Sequence, residues 1–423
     1  TFLNAYLTAA NSSPQFTADD LNQDADMRRA ADAVRENAAA AGTMSMRTAM
    51  YPYRSYNPEL LYDIPFGGTF YSSLIPNQLG IFMQQLGMDA GDGKNYYFYQ
   101  ELQPMSMLLT GIQYVIMDDA MLPDSMYRQL GNTWAYCFRY PMLAGFCIPK
   151  EAAELPGESD LILVQEKLYR DLIQTDCALY EKQLPVFENV KNIRIQAAPE
   201  PDVYECRTNE KTGVVEFTFT ADKDGWYVYQ LDASPELAGN VINYSINAAG
   251  ETIVSENYIL GGSFAQPPFL TQIGRLRAGE SVTVMLCIAK ETQGTVNVYS
   301  ARLNEDAFAE GYSQLSEQKL TVTAWNGTEI AGTIDVKEEN QLLYLPVPFD
   351  NGWTAYADGR KVKTERVFGA MLGIALESGT HEIRLQFCPR GLKTGAVLSI
   401  GSVMIAVLLG ICGKKAGKKN QRC

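Results

Sequence analysis

The sequence predicts a mixed fold: an α/β extracytoplasmic domain, two β-rich, sandwich-like modules and one C-terminal transmembrane helix. Three observations carry this. Residues 46–198 place apolar side chains at helical spacing around a short apolar strand, and residues 199–393 alternate with turn signals every ten residues or so. Thr394 to Gly413 holds no charged residue and is bounded by Lys393 and Lys414.

Taken in chain order, residues 1–45 read as a helical connector. Ser12-Ser13-Pro14 breaks structure, and Asp19 to Ala41 is rich in Ala, Asp, Arg and Glu with little apolar periodicity. That composition predicts a solvent-exposed helix ending at Gly42. In the α/β extracytoplasmic domain, 46–198, Asn77 to Gly87 sets Leu79, Phe82, Met83 and Leu86 on one helical face, with Pro76 before it. Glu101 to Leu109 is expected helical and Gly111 to Asp119 a short strand. Ser159 to Thr175 is an amphipathic helix, with Leu161, Val164, Leu168 and Leu172 in line.

Residues 199–304 read as a β-sandwich-like module. Val214 to Thr220 alternates, Asp224-Gly225 turns, and Trp226 to Tyr229, Asn243 to Asn247, Thr252 to Val254, Val282 to Ile288 and Val296 to Ala301 supply strands. Residues 305–393 read as a helix, Asp306 to Leu315, plus a small β module closed by Gly379 to Phe387. Residues 394–413 are the transmembrane helix: twenty residues rising about 1.5 Å each give roughly 30 Å, the thickness of a hydrocarbon core. Residues 414–423 hold Lys414, Lys415, Lys418, Lys419 and Arg422 without an acid. The positive-inside rule makes that tail cytoplasmic and residues 1–393 extracytoplasmic, at a bacterial cell membrane.

Composition narrows the chemistry. The chain carries 35 basic and 49 acidic residues, and five of the basic ones lie in the tail. So acidic an outer region disfavours nucleic acid or anionic lipid as a general partner. A chain whose bulk lies outside needs an export signal, and Thr1-Phe2-Leu3 is not one, so a longer polypeptide is expected. Within the anchor, Gly395, Ser399, Ser402, Ala406 and Gly410 form a small-residue stripe, the surface on which other transmembrane helices of the same protein pack.

Motifs for catalysis are sparse. His381 is the only imidazole, in step with Ile383, Leu385 and Phe387, and reads as a structural histidine at a hairpin base. Without a His cluster or CxxC no metal is expected, and no cofactor either. The eight cysteines read as buried free thiols, with Cys137/Cys147 and Cys206/Cys287 as the possible disulfides. Gly87 to Lys94 lacks Walker or EF-hand spacing and reads as a surface loop. Asp118-Asp119 reads as a strand-ending turn. Tyr51, Tyr53, Tyr56, Tyr62, Phe66, Phe70 and Tyr71 crowd one stretch; flat rings suit the apolar faces of sugars, though core packing is the commoner use.

A resemblance now becomes legible. Pro348 to Gly359 (PFDNGWTAYADG), Phe368-Gly369-Ala370, Ser378 to Ile383, and Pro389-Arg390-Gly391-Leu392-Lys393-Thr394-Gly395 leading into a helix resemble the C-terminal end of the YfhO family. Asn4-Ala5-Tyr6, Leu60-Leu61-Tyr62, Tyr71-Ser72-Ser73 and Leu109 to Ile116 resemble its extracytoplasmic region. The resemblance implies a multi-spanning bacterial membrane protein similar to polyprenyl-phosphate-sugar-dependent glycosyltransferases, which decorate teichoic-acid-type or other cell-envelope polymers. It also implies that the catalytic carboxylate lies in an early outer loop absent from this chain, so no catalytic residue is carried over and the fragment alone is expected to be inactive. Implied partners are the membrane lipid bilayer, the polyprenyl-phosphate sugar and the envelope polymer. The contrasting reading is a non-enzymatic, membrane-tethered carbohydrate-binding or adhesion protein. Tyr62, Tyr71, Ser72 and Asn77 are the candidate sugar or polymer contacts, because aromatic, hydroxyl and amide groups converge there.

Overall fold

Helices form where apolar spacing and capping coincide. The computed structural model describes residues 25–41, 47–51, 62–65, 69–70, 77–88, 96–97, 103–117, 122, 124–157, 160–237, 241–248, 251–259 and 269–420. Among them lie six helices: α1 (Ala25–Ala41), α2 (Asn77–Gln85), α3 (Pro104–Thr110), α4 (Leu161–Ile173), α5 (Glu305–Ser316) and α6 (Leu392–Asn420). Asp160 caps α4 by accepting from the Leu163 N–H at 2.9 Å, and Asn304 caps α5 by accepting from the Ala307 N–H at 3.1 Å. Gly111, at φ 68°, closes α3 in the left-handed conformation. The strand expected from Gly111 is accordingly only Tyr114–Met117, and Asp118-Asp119 lies outside the described residues.

The expected exposed connector helix requires correction. α1 buries Met27, Ala30, Ala31, Val34 and Ala38, one face at spacings of three and four. That face packs on Met50, Tyr62, Ile64, Tyr114, Ile116, Leu130 and Ala135. Alanines make the stripe hard to see in sequence, yet they permit a close approach to a sheet. The sheet runs Thr48–Tyr51, Tyr114–Met117, Ala135–Phe138, Tyr127–Gln129, with its first pair parallel.

The sandwich follows from strict alternation. In Gly213–Thr220, Val215, Phe217 and Phe219 point inward, and Ser281–Ile288 answers with Val282, Val284, Leu286 and Ile288. These two strands pair in full, from Gly213 opposite Ile288 to Thr220 opposite Ser281. Their sheet runs Glu251–Ile259, Val241–Ala248, Ser281–Ile288, Gly213–Thr220, Val186–Lys191. The facing sheet runs Ile193–Ala197, Val203–Thr208, Gln293–Leu303, Gly225–Ala233, Phe269–Leu276, and Tyr180–Gln183 also pairs with Gln293–Leu303. Hydrogen bonding therefore puts residues 180–197, expected in the α/β part, into the sandwich sheets.

The second sheet is covered twice. Its inner face meets the other sheet, while Trp226, Val228, Leu270, Tyr299, Ala301 and Leu303 turn outward into a core shared with α4 and α5. The Ile162 N–H donates to Gln230 Oε1 at 3.1 Å across that layer. The strand Phe146–Pro149 joins the first part of the chain to the last, pairing with Gln341–Pro348 from Phe146 opposite Tyr344 to Pro149 opposite Gln341. A further sheet runs Thr321–Trp325, Glu329–Val336, Gly379–Phe387, Trp353–Ala357, Arg360–Val362, and its strand Gly379–Phe387 leads into α6. The segment Leu392–Leu409 of α6 has a mean hydropathy of 2.0, has no buried residue, and is long and apolar enough to cross a membrane.

Six cysteines among the described residues are free thiols, Cys137, Cys147, Cys206 and Cys287 included. Burial pushes the Cys147 and Cys206 thiols up to about 12, so neither is a nucleophile near neutral pH.

Candidate functional site

A groove opens where the α4–α5 layer stops covering the sandwich. Along Val203–Thr208, Tyr204 and Cys206 face the core while Glu205 and Arg207 face outward. The neighbouring strand sets Arg194 opposite Arg207 and Gln196 opposite Glu205. On the other side Thr295 lies opposite Glu205, and Gln293 opposite Arg207. Together with Ser234 and Glu236 these side chains line a cavity of about 660 Å³. A second cavity, about 730 Å³, shares Arg207 and Gln293 and continues past Asn192, Asn209, Lys211 and Glu291. The two make one extended polar channel.

Its electrostatics are uneven. Gln196 Nε2 donates to Glu205 Oε2 at 2.6 Å. Glu236 has its carboxyl held below the usual range by a hydrogen bond from Ser234. Neither Arg194 nor Arg207 makes an ion pair or side-chain hydrogen bond among the described residues. Like charges directly opposite each other across an antiparallel pair destabilise it, and an anion bridging two guanidinium forks relieves that repulsion. The channel is polar and lined by charges of both signs, with Arg194 and Arg207 as cations without a side-chain partner among the described residues.

A contrasting cavity of about 420 Å³ lies at the junction with α5. There Arg302 reaches Glu181 at 2.6 Å and Lys223 reaches it at 3.2 Å. Their hydrogen bonds, Arg302's first, hold the Glu181 carboxyl below its usual range. Glu181 is thus paired with two cations, while the buried Arg302 Nε has no hydrogen-bond partner among the described residues. His381 is likewise satisfied: Nδ1 lies 2.8 Å from Asp358 Oδ2 and Nε2 3.0 Å from the Glu377 carbonyl oxygen. Among the described residues no group of three or more His, Cys, Asp or Glu side chains is arranged to hold a metal ion.

Of the residues singled out from sequence, Tyr62 lies away from this channel. Tyr62 is 4% exposed, packed beneath α1 with the Arg28 guanidinium 6.0 Å from its ring centre. Its ring is a core ring, closed to a sugar. Tyr71 and Ser72 lie outside the described residues, and Asn77 opens α2, where its side chain is outside them too. The groove residues do carry a short sequence signal: Ile193-Arg194-Ile195-Gln196 and Val203 to Thr208 alternate as half-buried strands do.

Fold and site together define a class: a β-rich body with an exposed polar channel, carrying an apolar terminal helix of membrane-crossing length. The particular family follows from comparison. Residues 2–399 match the YfhO family, described as bacterial membrane protein YfhO, and the chain belongs to that family. An uncharacterized protein YfhO of Bacillus subtilis (strain 168) is 23% identical over 170 residues, covering 40% of this chain and 20% of that relative. The match therefore spans a fifth of the relative's length. Among solved structures, a family 35 carbohydrate binding module from Clostridium thermocellum is similar at 17% identity and a TM-score of 0.22, covering 29% of this chain and 98% of the module. A CBM35 from Paenibacillus barcinonensis is similar at 11% identity and a TM-score of 0.22, covering 30% of this chain and 98% of the module. What those modules bind belongs to them; the channel rests on its own geometry.

Proposed function

We propose that this chain is the outward-facing C-terminal portion of a multi-spanning membrane glycosyltransferase-like protein. The full protein transfers sugar from a polyprenyl-phosphate donor to a cell-envelope polymer, teichoic-acid-type polymers among them. In this reading the basic tail after α6 is cytoplasmic, the β-rich body lies outside, and the sandwich channel holds the acceptor. The observation that carries the acceptor role is the unpartnered Arg194–Arg207 pair in an otherwise acidic chain. No residue of this chain is assigned to catalysis. Tyr71, Ser72 and Asn77 remain proposed sugar contacts.

The test is transfer of labelled sugar in membranes holding the full-length protein, paired with binding of an anionic envelope polymer. Replacing Arg194 and Arg207 together by Ala is expected to weaken polymer binding by about tenfold or more, from the loss of charge-assisted hydrogen bonds. Alanine at Tyr71, Ser72 and Asn77 is expected to lower transfer. Unchanged polymer binding in the arginine variant would remove the acceptor role from the channel. Polymer binding without any transfer would instead favour a tethered carbohydrate-binding or adhesion protein.

A further inference from the structure

The last β-sheet gathers its aromatic side chains at the edge from which the chain enters α6. Its strands are antiparallel, so the end of Thr321–Trp325, the start of Trp353–Ala357 and the end of Gly379–Phe387 share one edge. Trp353 lies directly opposite Phe387, with ring centres 5.0 Å apart. Trp325 and Trp353 are half-buried against the module's core, and so is Phe349, which follows the strand Gln341–Pro348. The Arg366 guanidinium sits 4.3 Å from the centre of the Phe349 ring.

The connection to α6 is short and clamped. The Phe387 N–H donates to the Thr328 carbonyl at 2.8 Å, and the Cys388 N–H donates to the Gly352 carbonyl at 3.0 Å. A hairpin loop and the turn before Trp353 thus grip the last strand just before the helix. Four residues, 388–391, then separate Phe387 from Leu392, a reach of at most about 17 Å. Arg390 and Lys393 are exposed at this junction. The nearby acids are engaged: Asp350 Oδ1 accepts from the Gly352 N–H at 2.6 Å, and Glu329 pairs with Arg384 at 2.7 Å.

Two of the chain's four tryptophans, a third half-buried ring and three cations therefore line one rim beside a helix of bilayer-crossing length. Indole rings with one apolar and one wet side settle at the headgroup boundary, and Arg and Lys meet lipid phosphates there. We propose that this rim is a phospholipid-binding surface. Trp325 and Trp353 seat at the headgroup–acyl boundary, and Arg366, Arg390 and Lys393 contact headgroup phosphates. The body is then fixed on the bilayer instead of swinging on its tether. The proposal goes beyond the acceptor channel and rests on α6 crossing the membrane.

The test uses the full chain in phosphatidylethanolamine–phosphatidylglycerol vesicles whose acyl chains are brominated near the headgroup. Tryptophan emission of the native chain is expected to be quenched, and W325F/W353F, which keeps two aromatic rings in place, is expected to lose most of that quenching. Leu398→Trp, placed in the W325F/W353F background, reports on α6 itself. Quenching of the Leu398→Trp reporter, with native and W325F/W353F chains quenched equally, would overturn the lipid-bound rim while leaving the anchor intact. No quenching of any variant would remove the anchor, and the rim with it.

Discussion

At the scale of single residues, His381 shows how one side chain ties pH to stability. Both its ring nitrogens face acceptors, a carboxylate and a carbonyl, which the doubly protonated imidazolium satisfies best. The Asp358 hydrogen bond, ahead of all other causes, raises the His381 pKa, and the same bond lowers that of Asp358. A raised histidine contributes stability that is fully present below its unfolded value of about 6.5 and is lost as pH rises through the folded value. The depressed aspartate contributes above its own unfolded value, about 3.9, and stops doing so as pH falls through the folded one. The pair is therefore at its best in mildly acidic solution. The unfolding temperature of the detergent-solubilised chain is expected to drop between pH 6 and pH 8 more steeply than that of Asp358→Asn. Parallel pH profiles for the two would show that the pair does not couple to folding. His381 as a structural residue was legible in sequence because it kept step with a strand. Tyr62 was misjudged for the opposite reason: an aromatic beside turn residues gives no local sign of the helix that covers it.

At the scale of elements, the helix packing turns on small residues. A Cβ on Gly311 of α5 would lie 2.6 Å from Tyr169 Cε2 of α4. Tyr169 cannot easily yield, because its hydroxyl donates to the Ala307 carbonyl at 2.5 Å. Gly311→Ala should therefore destabilise the α4–α5 layer by about 1–3 kcal/mol, although alanine is the better helix former. Chemical denaturation of Gly311→Ala against the native chain reads this directly, and a more stable variant would mean that the two helices have room to spare. α4 was legible because leucines mark its buried face, and the sandwich strands because Val, Ile and Phe alternate. α1 was not, since alanines carry its buried stripe. Ile193–Ala197 and Val203–Thr208, the strands that build the channel, alternate charged with apolar side chains over too few residues to stand out from the turns around them.

At the scale of the whole molecule, order in sequence and order in space part company. The pairing of Phe146–Pro149 with Gln341–Tyr344 joins segments nearly two hundred residues apart, a partnership no local pattern announces. Phe146 is fully buried, with its ring centre 5.2 Å from that of Tyr344, whose hydroxyl donates to the Leu109 carbonyl. Phe146→Ala is expected to cost about 3–5 kcal/mol and to loosen both ends of the chain together. Hydrogen exchange would show this as joint loss of protection in residues 103–150 and 341–376, and loss confined to one segment would mean that the two fold separately. The long apolar helix α6 was the most legible feature of all, because a membrane-length uncharged run needs no tertiary partner to be recognised. The central claim is that the β-rich body lies outside the cell while the basic tail lies within. Cys177 is an exposed free thiol on that body. Labelling intact protoplasts that carry the full-length protein with a membrane-impermeant maleimide, against a Cys177→Ser control, tests the claim most directly. The account expects Cys177 to be labelled before lysis with no gain afterwards; labelling that requires lysis would contradict it.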